Sequence, residues 1–285
     1  MDRARPGQAF VLSAIVAGLM AATSLAGLLF DVYRDAVWAK AAWFGNDLVT
    51  LLVAVPLLVW ALYAARRGSR RGQLVWWAML GYSVYSYAYY LFGAKLNVLF
   101  PLYVALFVLP ILALILSLGE ADLTEVARGF SDETPVRLVS GYMLFTGFGL
   151  AFAWLAQWAA LVFAGVVPAL GEDAFGLVAA LDLSFMVPLF VLGGVLLWKR
   201  RPWGYVLGAI MNLKGATYTL VLTVGSLAAA QRGVAGMAGQ VPIWGAWTLL
   251  GAVAAALLLR GVQGERLVGA SREAVAHREP GRNET

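Results

Sequence analysis

The sequence predicts an all-α protein, a polytopic transmembrane helical bundle of about eight spans. Hydrophobic residues make up 61% of the 285 residues and charged residues only 13%, whereas a soluble domain carries about 25% charged residues. Six charge-free runs of 18 to 34 residues divide the chain, and each can cross a hydrocarbon core of about 30 Å as a helix. No run alternates as a barrel strand would, so helices are expected.

Each span is placed on an apolar run between charges. Two further spans carry one internal charge each, Asp182 in the sixth and Lys214 in the seventh. All spans belong to one transmembrane domain within residues 1–260, and residues 261–285 are expected to form a disordered cytoplasmic tail. The predicted spans are residues 9–30, 47–65, 73–93, 98–118, 137–166, 175–198, 203–229 and 241–260.

The basic residues predict the orientation. Sixteen of the 21 lie in the N-terminus, in the segments 66–71, 119–137 and 199–201, and at residues 260–285, all of which we place on one side. The positive-inside bias then predicts that both termini are cytoplasmic, in the inner or plasma membrane of a cell. Arginine outnumbers lysine 17 to 4, a skew that favours a bacterial source. The first apolar run has 25 residues, and a signal peptide's apolar region has about 7–15, so we expect an uncleaved helix.

Rare residue types exclude several chemistries. The chain has no cysteine, and its single histidine, His277, lies in the tail. Disulfides, thiolate nucleophiles and histidine-ligated haem or zinc within the membrane are therefore excluded. No phosphate-binding loop, HExxH motif or paired-carboxylate motif occurs in a span. We predict no catalytic residue, no metal, no cofactor and, despite the net charge of +5, no nucleic-acid partner.

Lys214 is the most informative residue. It lies 13 positions after Arg201 and 17 before Gln231, which is about 20 Å and 25 Å along a helix, so its stem of about 6 Å reaches neither surface. A charge at that depth costs about 2.5–3.5 kcal/mol, and Asp182 is the obvious partner. Two roles remain open, an ion pair that fixes helix register and a ligand- or ion-binding site.

The third span is rich in tyrosine. Tyr82 and Tyr85 lie at membrane depth, where their hydroxyls need hydrogen-bond partners. The polar cluster continues through Lys95 and Asn97 around a short outer turn, and the predicted topology brings Asp47 near it. We predict a polar cavity that opens outward. The alternative is a hydrogen-bonded interface between helices.

The spacing of charges indicates a faint internal duplication. The intervals from Asp47 to Arg66 and from Asp182 to Arg201 are both 19 residues. Both run from outside to inside, each in the second span of a set of four. A 4+4 parallel repeat about an axis along the membrane normal would produce this pattern. Alternatively, the match is trivial, because helices that run inward tend to end in basic residues.

We therefore predict a transporter or a membrane protein that binds a small solute or lipid. Its expected partners are membrane lipids and a small anionic or amphiphilic solute, whose anionic group would meet Lys214 or Lys95. A membrane enzyme acting on lipid through Asp, Lys and Tyr and a structural subunit are the alternatives. Retinal attachment to Lys214 is a minor alternative, because another full span follows it. The candidate binding residues are Asp47, Tyr82, Tyr85, Lys95, Asn97, Asp182, Lys214 and Tyr218.

Overall fold

The computed structural model describes residues 7–168 and 171–263. Within these ranges the chain is helical throughout, apart from its connections and one isolated β-bridge. The predicted all-α class is therefore confirmed; most of the predicted tail lies outside the described residues. The helices are α1 (Gln8–Leu29), α2 (Val37–Arg66), α3 (Arg70–Gly93), α4 (Phe100–Gly119), α5 (Leu123–Arg128), α6 (Val136–Ala164), α7 (Glu172–Trp198), α8 (Pro202–Gln231) and α9 (Met237–Arg260).

Seven of the long helices are apolar enough and long enough to cross a membrane. The remaining long helix is α3, which carries the tyrosines and is less apolar than the others. It lies in the middle of the bundle, packed against α2, α4 and α8. Because protein rather than lipid surrounds it, α3 can hold polar side chains that pair with one another.

The second predicted span begins too late. Helix α2 starts at Val37, ten residues before Asp47, which the charge pattern placed at the membrane boundary. Asp47 is in fact 3% exposed and lies inside the bundle. The remaining predicted bounds differ from the observed helices by at most four residues.

Helices α2 and α7 are each interrupted by five π-helical residues, Thr50–Ala54 and Asp182–Met186. Each segment is followed directly by a Val-Pro pair, containing Pro56 and Pro188. Proline has no N–H, and its ring crowds the carbonyl four residues earlier, which lies within the π segment in both helices. The wider turn accommodates the proline, so the proline sets the position of each break.

The turns that follow α2 and α7 share their geometry. We call their end of the bundle the inner end and the opposite end the outer end, after the orientation that the basic residues predict. Gly68 has φ of +80° and Arg200 has φ of 51°, and these residues are 132 positions apart. Gly72 and Gly204, also 132 positions apart, let α3 and α8 approach the preceding helices closely. A Cβ on either glycine would lie within 2.8 Å of backbone atoms of that helix. The hairpins α2–α3 and α7–α8 are therefore alike from their π segments to their tight glycines.

The two hairpins also cross each other reciprocally at their outer ends. Helix α2 meets α8 at Gly45, where a Cβ would lie 2.5 Å from the backbone nitrogen of Gly225. Helix α3 meets α7 at Gly93, where a Cβ would lie 2.5 Å from the Leu177 side chain. Leu177 and Gly225 lie 132 positions after Gly45 and Gly93. The α2–α8 and α3–α7 crossings therefore involve positions of the two hairpins that correspond at this spacing, and α3 and α8 contact each other between them.

This spacing corrects the predicted register between the two hairpins. The charge pattern pairs Asp182 with Asp47, which are 135 positions apart, but the geometry pairs Asp182 with Thr50 and Lys214 with Tyr82. In the first hairpin the two side chains form a neutral hydrogen bond of 2.7 Å. In the second hairpin the same positions hold a carboxylate and an ammonium.

The inner end of α9 is fastened to the first part of the chain. The Arg71 guanidinium, at the start of α3, donates to the backbone carbonyls of Leu259 at 3.1 Å and Val262 at 2.9 Å. In the segment after α5, the Ser131 N–H donates to the Gly261 carbonyl at 2.7 Å. These bonds satisfy carbonyls that the end of a helix would otherwise leave unpaired.

Candidate functional site

Two groups of buried polar side chains lie inside the bundle, each around a carboxylate. We call the first the central cluster, which consists of Tyr85, Trp154, Asp182, Met186, Lys214 and Tyr218. We call the second the outer cluster, which consists of Tyr33, Trp43, Asp47, Tyr90 and Tyr103.

In the central cluster, Asp182 and Lys214 meet through a third residue. Among the described residues no ammonium–carboxylate contact within 4.0 Å joins them. Instead the Tyr85 hydroxyl donates to Asp182 Oδ1 at 2.5 Å, and the Tyr85 ring centroid lies 3.3 Å from Lys214 Nζ. The predicted partnership between the two charges is therefore bridged by Tyr85 rather than direct.

The remaining partners in the central cluster are neutral. Trp154 of α6 donates its indole N–H to Asp182 Oδ2 at 2.9 Å. Lys214 Nζ contacts Met186 Sδ and lies 5.3 Å from the Tyr218 ring centroid. A desolvated cation–π contact contributes about 2 kcal/mol, while burial of an ion costs several kcal/mol. The ammonium is thus incompletely compensated.

The local backbone explains how the central cluster forms. Asp182 is the first residue of the π segment in α7 and Met186 is the last, so both side chains project from the irregular turn. Lys214 lies well inside α8, far from either end. Irregular π turns are frequent at functional sites because they re-aim side chains without ending the helix.

In the outer cluster, Asp47 accepts two phenol hydrogen bonds. The Tyr33 hydroxyl donates to Asp47 Oδ2 at 2.6 Å and the Tyr90 hydroxyl to Oδ1 at 2.8 Å. Burial, together with the neighbouring carboxylate, raises the pKa of the Tyr33 hydroxyl, so this loop residue stays protonated as a donor. The Asp47 carboxylate packs against Gly27 of α1, where any Cβ would overlap it.

Aromatic rings enclose the Asp47 carboxylate. Trp43 and Tyr103 stack on Tyr90 with ring centroids 4.6 Å and 4.9 Å apart. Over residues 7–168 and 171–263, the buried Tyr103 hydroxyl and Trp43 indole N–H make no hydrogen bond. Buried donors without a partner are rare in folded proteins. The outer cluster therefore holds two unpaired donors on rings that stack against Tyr90, which itself donates to the Asp47 carboxylate.

The other predicted site residues have local roles. The Tyr82 hydroxyl bonds Thr50 at 2.7 Å and Asn46 at 3.1 Å, both on α2. Lys95 and Asn97 lie in the exposed outer loop between α3 and α4, where the Asn97 side chain bonds the Lys95 carbonyl and the Leu99 N–H. The structure brings Tyr85, Asp182, Lys214 and Tyr218 together, and it places Lys95 and Asn97 in neither cluster.

A crevice on the outer side leads to the outer cluster. Its volume is about 320 Å³, and its lining includes Gly27, Tyr33, Lys40 and Arg232. Because Gly27 and Tyr33 also contact Asp47, the floor of the crevice lies directly against the carboxylate. None of the residues from which the sequence predicts an outward polar cavity lines this crevice, so that cavity stays a prediction.

Sequence reasoning missed several members of both clusters. Trp43 lies four positions before Asp47, so helical periodicity would have found it had α2 been extended to Val37. Tyr33 lies in a loop, and Trp154 reaches Asp182 from another helix. For these two contacts the sequence holds no local signal, because they depend on which helices pack together.

We expect that Gly27→Ala disturbs the outer cluster. The new Cβ would overlap the Asp47 carboxylate and the Tyr33 hydroxyl, so the free energy of unfolding should fall by about 1–3 kcal/mol. The measurement is chemical denaturation of the purified protein in mixed micelles. Gly18→Ala, on the same helix with nothing within 4 Å of the new Cβ, is the matched control. Equal stability of the two variants would show that α1 does not seat the carboxylate.

The seven apolar helices, together with polar clusters buried among them, indicate a membrane protein. None of the family models, curated proteins or solved structures with which the chain was compared matches it. We therefore infer the function from the geometry of the central cluster and the outer cluster alone.

Proposed function

We propose that the protein is a cell-membrane transporter for a small solute with an anionic group, with both termini in the cytoplasm. The observation that carries this proposal is the state of the Lys214 ammonium. Lys214 is 3% exposed, and across the described part of the chain its ammonium has two aromatic rings and a thioether as partners but no carboxylate within 4.0 Å. A solute carboxylate or phosphate would supply the missing counter-charge.

The alternative, a structural ion pair that fixes helix register, is less well supported. In a buried ion pair the mutual attraction offsets the cost of desolvation only when the two charges meet with good geometry and additional hydrogen bonds. Here the Tyr85 ring and hydroxyl lie between Lys214 and Asp182. The arrangement keeps both charges in place but leaves each open to a stronger partner.

We also propose that eight helices cross the membrane as two sets of four, α1–α4 and α6–α9, related by an axis along the membrane normal. The recurring hairpin geometry at a spacing of 132 residues and the reciprocal outer crossings support this repeat. With 24 residues, α3 is about 36 Å long, enough for a span. Transporters built from repeats move one repeat against the other around a site between them.

The central cluster lies between the two proposed sets. Tyr85 comes from the first set, and Asp182, Lys214 and Tyr218 come from the second. A movement of one set against the other would draw Tyr85 away and open the charged residues to a solute. With Asp182 only 8% exposed, the present arrangement of the central cluster is closed, so the proposed movement is needed before a solute can reach it.

The proposal is tested by screening solutes against purified protein in lipid nanodiscs. The panel contains small carboxylates and phosphate esters, with amines and neutral sugars for comparison. Binding to the folded state raises the unfolding temperature. We expect at least one anionic solute to stabilise the wild-type protein, and Lys214→Met to weaken that binding at least tenfold, as about 1.4 kcal/mol would. Uptake of the same solute into proteoliposomes should fall in parallel.

Lys199→Met is the matched control, because Lys199 is an exposed lysine at the inner end of α7. It should bind the solute as the wild-type protein does. Equal binding by Lys214→Met would remove the assigned role of Lys214. Stabilisation only by amines or sugars would contradict an anionic solute.

A further inference from the structure

We propose that Asp47 is a proton-binding site that is reached from the outer face of the membrane and is separate from the central cluster. Protons bound there would be coupled to solute movement. This coupling rests on the proposed transport function, and the outer face rests on the orientation proposed with it.

The Asp47 carboxylate has no cationic partner. In residues 7–168 and 171–263 no lysine or arginine nitrogen lies within 4.0 Å of it, and its hydrogen-bond partners are the phenols of Tyr33 and Tyr90. A carboxylate that is 3% exposed and lacks a counter-charge is costly, and neutral donors offset that cost only in part. The site therefore requires a cation or a proton.

The packing favours a proton over any larger cation. Gly27 is seated so closely that even a Cβ would overlap the Asp47 carboxylate, and Trp43 and Tyr103 are already in ring contact with Tyr90. A metal ion needs a shell of several oxygen ligands, and an organic ammonium needs an open aromatic cage. A proton needs neither.

The outer cluster contains donors that suit a change of charge. An ionised carboxylate has acceptor sites for about four hydrogen bonds, and the two phenols supply one to each oxygen. The Tyr103 hydroxyl and the Trp43 indole N–H are buried beside them without a partner in the described ranges. These donors are available to hydrogen-bond the ionised Asp47 carboxylate. The outer cluster can therefore hold Asp47 both with and without its proton.

The surroundings leave Asp47 as the group of the outer cluster that can gain or lose a proton. Phenols ordinarily lose their proton at about pH 10, and burial keeps the Tyr33 hydroxyl protonated. At the crevice mouth, Lys40 is ion-paired with Asp31 at 2.7 Å. The titratable and charged groups that face the cluster are Tyr33 and Asp35 from the loop after α1, Tyr82, Tyr87 and Tyr90 from α3, Tyr103 from α4, and Asp31, Lys40 and Arg232 at the mouth.

Infrared difference spectroscopy of the purified protein in nanodiscs tests the site with protons as the only ligand. We expect a carboxylic-acid C=O band that disappears as the pH is raised. Asp47→Asn should abolish the Asp47 component of this band, whereas Asp182→Asn, which changes the other buried carboxylate with two neutral donors, should leave that component in place. Asp47→Glu should restore a titrating band at a shifted frequency.

A titrating band that is unchanged in Asp47→Asn would overturn the proposal, as would a wild-type protein without such a band. Access is tested in oriented proteoliposomes through the fluorescence of Trp43, identified by its loss in Trp43→Phe. We expect a change when the outer solution alone is acidified, and a response to the inner solution alone would contradict outward access. Because no solute is present, these results stand whether or not the transport proposal fails.

Discussion

Replacement of Gly204 by valine is expected to lower the free energy of unfolding by about 3 kcal/mol or more. A Cβ at this position would overlap backbone atoms of Leu196 and Leu197 in α7. Backbone cannot rotate away as a side chain can, so α8 would have to separate from α7 along the inner half of the hairpin. Chemical denaturation in mixed micelles measures the loss.

Two further variants make this result specific. Gly239→Val in α9 is the control, because nothing lies within 4 Å of its added Cβ, and its effect should stay small. Gly72→Val should be damaging as well, because Gly72 holds the equivalent close approach of α3 to α2. A harmless Gly204→Val would refute the tight packing, and a harmless Gly72→Val would refute the equivalence of the two hairpins.

The second large effect is expected at Tyr85, the residue that contacts both buried charges. Tyr85→Phe keeps the ring beside Lys214 but removes the hydroxyl donor to Asp182, so stability should fall by about 1–3 kcal/mol. Tyr85→Leu also removes the cation–π contact, which adds about 2 kcal/mol. Because the solute is proposed to replace Tyr85 beside Lys214, both variants should still bind the solute, and Tyr85→Leu should bind it more tightly than the wild-type protein.

Tyr63→Phe is the matched control for Tyr85→Phe. Tyr63 lies on α2 and is 56% exposed, so loss of its hydroxyl should change stability by no more than about 0.5 kcal/mol. Both denaturation and solute binding are measured for the pair. If the two phenylalanine variants behave alike, Tyr85 does not hold the central cluster together.

The fold class and most helix bounds could be predicted because lipid imposes a simple rule on composition. Uncharged runs mark spans, and their ends lie near charges. The rule failed at Asp47, where a charge lies inside the bundle, so the start of α2 was misplaced by ten residues. The charges also suggested a spacing of 135 residues between the α2–α3 and α7–α8 hairpins, whereas their backbone geometry recurs at 132 residues, because the prolines shape that backbone. Alignment on Pro56 and Pro188 gives the spacing that the geometry shows.

The candidate site was predictable only in part. The depth of Lys214, Asp182 and Tyr85 in their spans follows from counting residues, and depth alone implies that such side chains need one another. Which side chain stands between which others depends on helix rotation and crossing, which a single sequence does not encode locally. For that reason the bridging place of Tyr85 and the contribution of Trp154 emerged only with the fold.

The bonds from Arg71 to the end of α9 have a consequence for biogenesis. Leu259 and Val262 follow Arg71 by 188 and 191 residues in the sequence, so these hydrogen bonds can form only after α4 to α9 have been synthesised. Docking of the end of α9 against the start of α3 is therefore a late step of assembly, and it closes this part of the chain into one loop.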